Sequence, residues 1–173
     1  MSSDQLIAVA TDALRGLLQA ALPADSVVLL GPPSPDGQEV SGVSLHLFRI
    51  GTNPAVRQAA PVARADGTRL QPPFGLQLEY LISGLGGEAL EELGLLGAAL
   101  QALLDSPVRE GDSLAAMLSQ PERLAAMSPG SLRLQWQVLN LPIDQALGVW
   151  LASGMRQRGG VFCRAEVIWQ VVQ

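Results

Sequence analysis

The chain of 173 residues is long enough for one domain with a full hydrophobic core and short for two. Its apolar fraction of 48% and charged fraction of 16% are typical of a globular protein rather than a disordered one. The net charge is −5, and all eleven basic residues are arginines. The missing lysine excludes a Schiff-base lysine and a phosphate-loop lysine, and the lack of a basic patch argues against nucleic acid as a partner.

One cysteine, Cys163, and one histidine, His46, restrict the possible chemistry further. A disulfide within the chain is impossible, so a reducing compartment is expected. Residues 93–104 form the longest nearly apolar run, which is too short to span a bilayer. The N-terminus has the pattern of an amphipathic helix rather than of a leader peptide. We therefore expect no membrane association, no metal and no cofactor.

The first predicted element is a helix over residues 3–21, with Ser2 and Gln5 resembling a capping box. Apolar residues recur along it at the i, i+3, i+4 spacing of a helix with one buried face. This predicted buried stripe consists of Leu6, Val9, Ala10, Ala13, Leu14, Leu17 and Leu18.

Two strands are predicted next, at 26–30 and 43–50. The following stretch, 51–73, is polar and rich in proline, and "ADG" within it predicts a small hairpin between Val62 and Leu70. Such a long irregular segment on a compact domain is typical of a loop that carries function or binds partners.

The remaining chain predicts an α+β fold: a single domain over 1–173 with a mixed or antiparallel sheet of about five to six strands, an N-terminal helix, one long central helix and short helices. The final strand runs nearly to the C-terminus, so it is a candidate edge strand that pairs with a neighbouring chain. The predicted elements are a strand at 75–83, a helix at 88–105, short helices at 114–119 and 121–127, a strand at 131–139, a helix at 144–151 and a strand at 161–172.

The stretch "SGLGGEAL" (83–90) has the G-x-G-x-x-G/A spacing of a dinucleotide-binding loop, at Gly84, Gly86 and Ala89. It also lies between a predicted strand and a predicted helix, as that motif requires. However, three carboxylates fill the first turn of the helix, where they suit the helix dipole and would repel a phosphate: Glu88, Glu91 and Glu92. The pattern favours a glycine-rich turn over a cofactor loop.

No catalytic constellation is visible among the remaining candidates. His46 lies in the middle of a strand and is expected to be a surface or partly buried polar residue, whereas Cys163 is expected to pack as a small apolar one. Nothing in the sequence positions the two as a nucleophile pair. Glu79 and Glu166 each lie in an alternating strand and are expected to point into solvent.

The tryptophans Trp136 and Trp169 are interpreted as core residues in preference to interface residues, because each shares its strand face with apolar neighbours. On the opposite face, Arg133 would lie with Gln135 and Gln137 and form a polar sheet surface.

Four stretches, taken in order, resemble one protein family. The first matches an apolar strand that ends in aromatic-Arg and is followed by Asn and Arg, and the second matches a "PP-x-x-L-x-L-x-Y-L" strand. The third matches a Leu-Leu-Gly helix that ends before Pro-Val, and the fourth matches a strand followed by a helix that carries a Trp. These stretches are "LHLFRIGTNPAVRQ" (45–58), "PPFGLQLEYLISGLGG" (72–87), "ELGLLGAALQALLDSPV" (92–108) and "LRLQWQVLNLPIDQALGVWLASG" (132–154). The family is the cap, or tail-terminator, proteins of extracellular contractile injection systems, which are phage-tail-like particles of the antifeeding-prophage type. The last strand departs from the family pattern, with Phe162 and no tyrosine.

This resemblance implies a structural, non-enzymatic protein with a phage tail-terminator fold. Caps of this family form a six-membered ring on the last layer of inner tube and sheath, where they stop tail growth and anchor the sheath. The implied partners are further copies of the chain, as a homohexamer, and the tube and sheath proteins, with no nucleic acid and no membrane. Assembly in the cytoplasm is implied, before the chain becomes part of the particle.

Arg49, Asn53 and Arg57 match the family pattern beside the long loop and are the candidate subunit or partner contacts. Alternatively, they hold the backbone of that loop. Two other functions also stay open: a different tube or sheath adaptor of the same machine, and a small nucleotide-binding enzyme that uses the Gly84–Ala89 turn.

Overall fold

A six-stranded sheet forms the centre of the computed structural model, which describes residues 5–33, 40–57, 62–63, 69–70, 73–127, 130–154 and 157–171. Its strands are β1 (Val27–Leu30), β2 (Gly42–Thr52), β5 (Phe74–Leu85), β6 (Val108–Glu110), β7 (Gly130–Leu139) and β8 (Gly160–Val171), and two short strands, β3 (Val62–Ala63) and β4 (Arg69–Leu70), pair separately. The order across the sheet is β1-β2-β5-β8-β7-β6. β1 is parallel to β2, and the other neighbours are antiparallel.

Six helices are present among the described residues: α1 (Leu6–Ala21), α2 (Pro54–Arg57), α3 (Ala89–Asp105), α4 (Gly111–Ala115), α5 (Pro121–Ala125) and α6 (Ile143–Ala152). Together with the mixed sheet they confirm the predicted α+β class, including the N-terminal helix and the long central helix.

One face of the sheet, which we call the helix-covered face, packs against α1 and α3. The strands supply it with every second residue, because successive side chains point to opposite sides of a sheet. In β5 these residues include Leu78, Tyr80 and Ile82, all fully buried. The polar atom among these three side chains, the Tyr80 hydroxyl, is hydrogen-bonded to Thr11 Oγ1 at 2.9 Å. All seven residues of the predicted α1 stripe are buried, so that prediction is confirmed.

The opposite side, which we call the open face, is covered by described residues only at its two ends. At one end α6 places Trp150 over Leu81 and Phe162. At the other end α2 lies close to Gly75, where an added Cβ would come within 3.0 Å of the Val56 Cβ. Between these ends the strands present polar and charged side chains: Arg49, Gln77, Glu79, Arg133, Gln135, Gln137, Arg164 and Glu166.

The prediction that the final strand is an edge strand is wrong. β8 lies between β5 and β7 and pairs with both along its length. The edges are β1, which was predicted as a strand, and the three-residue β6, which was not. Strand order in an antiparallel sheet is set by which apolar faces meet in three dimensions, so position in the chain alone does not identify an edge.

Several local predictions have a clear outcome. Val62 pairs with Leu70, which confirms the predicted hairpin, although its turn residues lie outside the described part of the chain. Helix α1 begins at Leu6 with Gln5 as its N-cap residue and without a side-chain capping bond, while Ser2 also lies outside the described residues. The helix expected at 114–119 begins earlier, as α4 (Gly111–Ala115). Its N-cap residue is Glu110, the last residue of β6, and the Glu110 N–H donates to the Ser113 hydroxyl at 3.3 Å.

Candidate docking face

The glycine stretch joins β5 to α3 and has a packing function. Gly84 lies inside β5 rather than in the turn, so its expected role in reversing the chain is wrong. An added Cβ at Gly84 would lie 2.8 Å from the Glu92 carbonyl oxygen, and the missing side chain therefore lets α3 approach the sheet. Gly84, Gly86 and Gly87 all have negative or extended φ, so none of them needs the left-handed conformation.

The first turn of α3 holds carboxylates that are already engaged. Glu91 Oε1 accepts a hydrogen bond from the Ser41 hydroxyl at 2.5 Å, and Glu92 lies 3.8 Å from the Arg158 guanidinium. Negative charge at this position stabilises the positive end of the helix dipole and opposes a bound phosphate. The geometry therefore supports a turn at residues 86–88, between β5 and α3, rather than a cofactor loop.

His46 and Cys163 lie on opposite faces of the sheet. Cys163 aligns with Tyr80 on the helix-covered face, while His46 aligns with Leu81 on the other side. Burial raises the pKa of the Cys163 thiol to about 12, which keeps it neutral, and burial lowers the pKa of His46. The cysteine packs as a small apolar residue, as predicted, and the two side chains do not form a nucleophile pair.

The centre of the open face is an ion pair between Glu79 and Arg164, which was not predicted from the sequence. Glu79 is only 5% exposed, and its Oε1 accepts from Arg164 Nη2 at 2.7 Å and from Arg164 Nε at 3.1 Å. The expectation that Glu79 points freely into solvent is therefore wrong. A buried carboxylate is stable only when it is paired, and the neighbouring strand provides the partner. The signal in the sequence was an acid in a strand of mostly apolar residues, "LQLEYLI".

Arg49 is brought to the same face by an irregularity in β2. The register between β2 and β5 shifts between Leu47 and Arg49, which is the effect of a β-bulge. The Arg49 side chain is 71% exposed, and its Nη1 lies 3.6 Å from Glu79 Oε2. Arg164 already neutralises Glu79 at shorter distance, so the Arg49 charge remains available at the surface.

The part of the open face that β7 forms is polar, as predicted. Arg133, Gln135 and Gln137 are exposed on β7, and Gln77 Nε2 lies 3.5 Å from Glu166 Oε1. The prediction that Trp136 and Trp169 are core residues is confirmed, since both are buried on the helix-covered face.

The other two candidate contact residues lie where β2 passes into α2. Asn53 is buried, its N–H donates to the Gly75 carbonyl at 3.0 Å, and its side chain packs beside Gly75. Arg57 is the last residue of α2, and its side chain lies outside the described part of the structure. The position of Asn53 favours the alternative in which this residue holds the backbone of the loop.

Two negative observations apply to the described part of the chain. It contains no group of three or more histidine, cysteine, aspartate or glutamate side chains placed to hold a metal ion. No helix within it has the length and apolar character needed to cross a bilayer.

Comparison with known proteins identifies the family. The model of the Pvc16 N-terminal domain matches residues 10–170, and the chain belongs to this family. The fold is similar to that of the PVC sheath/tube terminator of an extracellular contractile injection system in its extended state, with a TM-score of 0.65, 18% identity and 96% of this chain covered. It is also similar to the anti-feeding prophage cap, a tube terminating cap, with a TM-score of 0.62, 16% identity and 93% of this chain covered. The matched regions are 57% and 54% of those two chains. A comparison with curated proteins gives no match.

Proposed function

We propose that this chain is a cap of a contractile injection particle, which terminates the inner tube, anchors the sheath and has no enzymatic activity. The observation that carries this proposal is the agreement of nearly the whole chain, 96%, with the fold of a sheath/tube terminator. The functional unit is a single cap domain over residues 1–173, assembled in the cytoplasm before it joins the particle. Its partners are the tube protein, the sheath protein and further copies of itself, as a homohexameric ring.

The open face suits such a role. It offers a row of exposed polar side chains on β7 and, next to the α2 segment, an exposed cation, Arg49, whose ion pair with Glu79 is long at 3.6 Å. A closed ring needs two different surfaces that meet head to tail, and electrostatic complementarity fixes which surfaces meet. We propose that Arg49 and Arg57 contact a neighbouring subunit or the particle, and that Asn53 holds the loop that presents them.

Loss of the gene in the producing cell tests the terminator role. Without a cap, tubes should vary in length or sheaths should be unstable, and electron microscopy of particles measures both. The intact chain supplied in trans should restore uniform particles. Uniform lengths in the deletion strain would instead support the other tube or sheath adaptor.

Replacement of the two arginines tests the contact surface. The Arg49→Ala and Arg57→Ala double variant should fail to restore capped particles while it still folds. Arg158→Ala is the matched control, since Arg158 also makes a long surface ion pair, 3.8 Å, but at the start of α3. Wild-type capping by the double variant would remove these residues from the proposal.

Calorimetric titration with nucleotides tests the enzyme alternative. The engaged carboxylates Glu91 and Glu92 should prevent binding at the α3 start. Saturable binding at micromolar concentration would contradict the structural function.

A further inference from the structure

The edge strand β1 has backbone groups without a neighbouring strand. On its inner side the Val27 N–H donates to the Ser41 carbonyl at 3.1 Å and the Gly31 N–H to the Leu45 carbonyl at 2.9 Å. Alternate residues of a strand present their backbone groups to opposite sides. Val28 and Leu30 therefore present their N–H and carbonyl groups to the outer edge of the sheet.

The Gln19 side chain occupies the first position along this edge. Its Nε2 donates to the Ser26 carbonyl at 2.7 Å, and its Oε1 accepts from the Val28 N–H at 3.2 Å. A peptide group of an added strand would make the same two bonds. The next donor along the edge is the Leu30 N–H, and no residue in the described part of the chain accepts from it.

A groove of about 530 Å³ runs along the edge between β1, α1 and the start of α5, and we call it the β1 groove. Its walls include Ala8, Val28 and Leu30, and Leu30 is 59% exposed. Large exposed apolar side chains on an edge strand are typical of sites where another chain pairs. The groove thus combines unpaired backbone with apolar surface.

The rim of the groove is cationic. Arg123 hydrogen-bonds to two neutral side-chain amides: its Nη1 donates to Gln5 Oε1 at 2.8 Å, and its Nε donates to Gln120 Oε1. Arg15 lies on the same wall and pairs with Asp12 at 3.0 Å. Asp12 keeps its negative charge, which Arg15 balances, so Arg123 supplies the net positive charge of the groove lining. In a chain of net charge −5 this is a local site for an acidic ligand.

We propose that the β1 groove binds an extended acidic peptide segment of another chain by strand addition. The segment pairs with β1 at Leu30, places an apolar side chain over Leu30, and places a carboxylate near Arg123 and Arg15. Strand addition supplies affinity through backbone bonds and specificity through alternate side chains. Pro32 and Pro33 follow one residue after the end of β1 and limit the added pairing to a short segment, since proline has no N–H. This surface is separate from the contacts proposed for Arg49 and Arg57.

Fluorescence anisotropy with two labelled peptides on the full chain tests this proposal. One peptide alternates valine with glutamate, and the other alternates valine with arginine. The glutamate peptide should bind saturably and at least about tenfold more tightly than the arginine peptide. Overall charge predicts the reverse order, because the chain is acidic. Equal binding, or no saturable binding of the glutamate peptide up to about 1 mM, would overturn the proposal.

Three variants separate strand addition from surface charge alone. Arg123→Ala should weaken binding of the glutamate peptide several-fold, whereas Arg133→Ala on the open face should leave it unchanged. Gln19→Ala frees the first edge position and should strengthen binding, which a purely electrostatic mode does not predict. Thermal unfolding of each variant shows whether it is folded. Sedimentation equilibrium completes the test: self-association that Arg123→Ala abolishes would identify a second copy of the chain as the occupant and contradict the peptide.

Discussion

The two faces of the sheet are built by the same alternating strands, yet they are closed in different ways. On the helix-covered face α1 and α3 bury apolar side chains, with the Tyr80 hydroxyl paired to Thr11. On the open face no helix in the described part of the chain covers the centre, and a buried carboxylate, Glu79, is paired there with arginines. A polar residue in an alternating strand is therefore not necessarily exposed to solvent. Its exposure depends on what the neighbouring strands place beside it.

Truncation on the helix-covered face should have the largest effect. Leu78 is fully buried in a central strand, and Leu78→Ala should lower the free energy of unfolding by about 3–5 kcal/mol, because it removes apolar contacts and leaves a cavity. Urea unfolding measures the change. Leu90→Ala is the control, as Leu90 is 81% exposed and should change stability by less than about 0.5 kcal/mol. Similar losses at both positions would show that the two helices do not close this face.

Removal of the buried carboxylate on the open face should have the next largest effect. Glu79→Ala leaves Arg164 without its partner and should cost about 2–4 kcal/mol in the same unfolding measurement. Arg49→Ala removes only the long, exposed member of the group and should cost less than about 0.5 kcal/mol. Equal costs would mean that Arg49, rather than Arg164, is the main partner of Glu79.

The sequence predicted the helix-covered face well because periodicity reports burial directly. The α1 stripe from Leu6 to Leu18 and the alternation of β7 around Trp136 both follow from the repeat lengths of a helix and a strand. The same rule separated His46 from Cys163. These predictions need only the local backbone conformation.

The open face could not be predicted in the same way, because it depends on strand order and register. Glu79 meets Arg164 across 85 positions of sequence, and only the pairing of β5 with β8 brings them together. The edge position of β1 and the Gln19 bonds to it likewise depend on where each strand lies in the sheet. The bulge that turns Arg49 toward Glu79 has no signature in "LHLFRIG".

Asp12 links α1 of the helix-covered face to the segment before α5, and its removal should have an intermediate effect. Burial acts to raise the pKa of Asp12, but hydrogen bonds from Ser119, Arg15 and Gln120 outweigh it and hold the pKa below the usual 3.8. Asp12→Asn should cost about 1–2 kcal/mol near neutral pH.

The pH dependence follows from the direction of that shift. Folding favours the charged form of Asp12, so this carboxylate stabilises the folded state. The stabilisation is fully present above the pKa of the unfolded state, near 3.8, and is lost as the pH falls through the lower pKa of the folded state. The stabilities of wild type and Asp12→Asn should therefore converge below about pH 4. Asp25→Asn, at an exposed carboxylate, is the control. A difference that persists unchanged into acid would show that the carboxylate acts through shape rather than charge.

The smallest effect should be a gain in stability on the outer side of α3. Gly97 lies in the helix interior, is exposed, and has no atom within 4 Å of an added Cβ. Gly97→Ala should stabilise the chain by about 0.5–1 kcal/mol, because alanine loses less backbone freedom on folding. Gly84→Ala is the matched change on β5, which faces the other side of this helix. The added Cβ would lie 2.8 Å from the Glu92 carbonyl oxygen. This substitution should destabilise by about 1–3 kcal/mol. A gain in stability at Gly97 and a loss at Gly84 would establish that α3 is packed tightly on its sheet side and is free on the other. A loss of stability at Gly97 would mean that the outer surface of α3 is already covered.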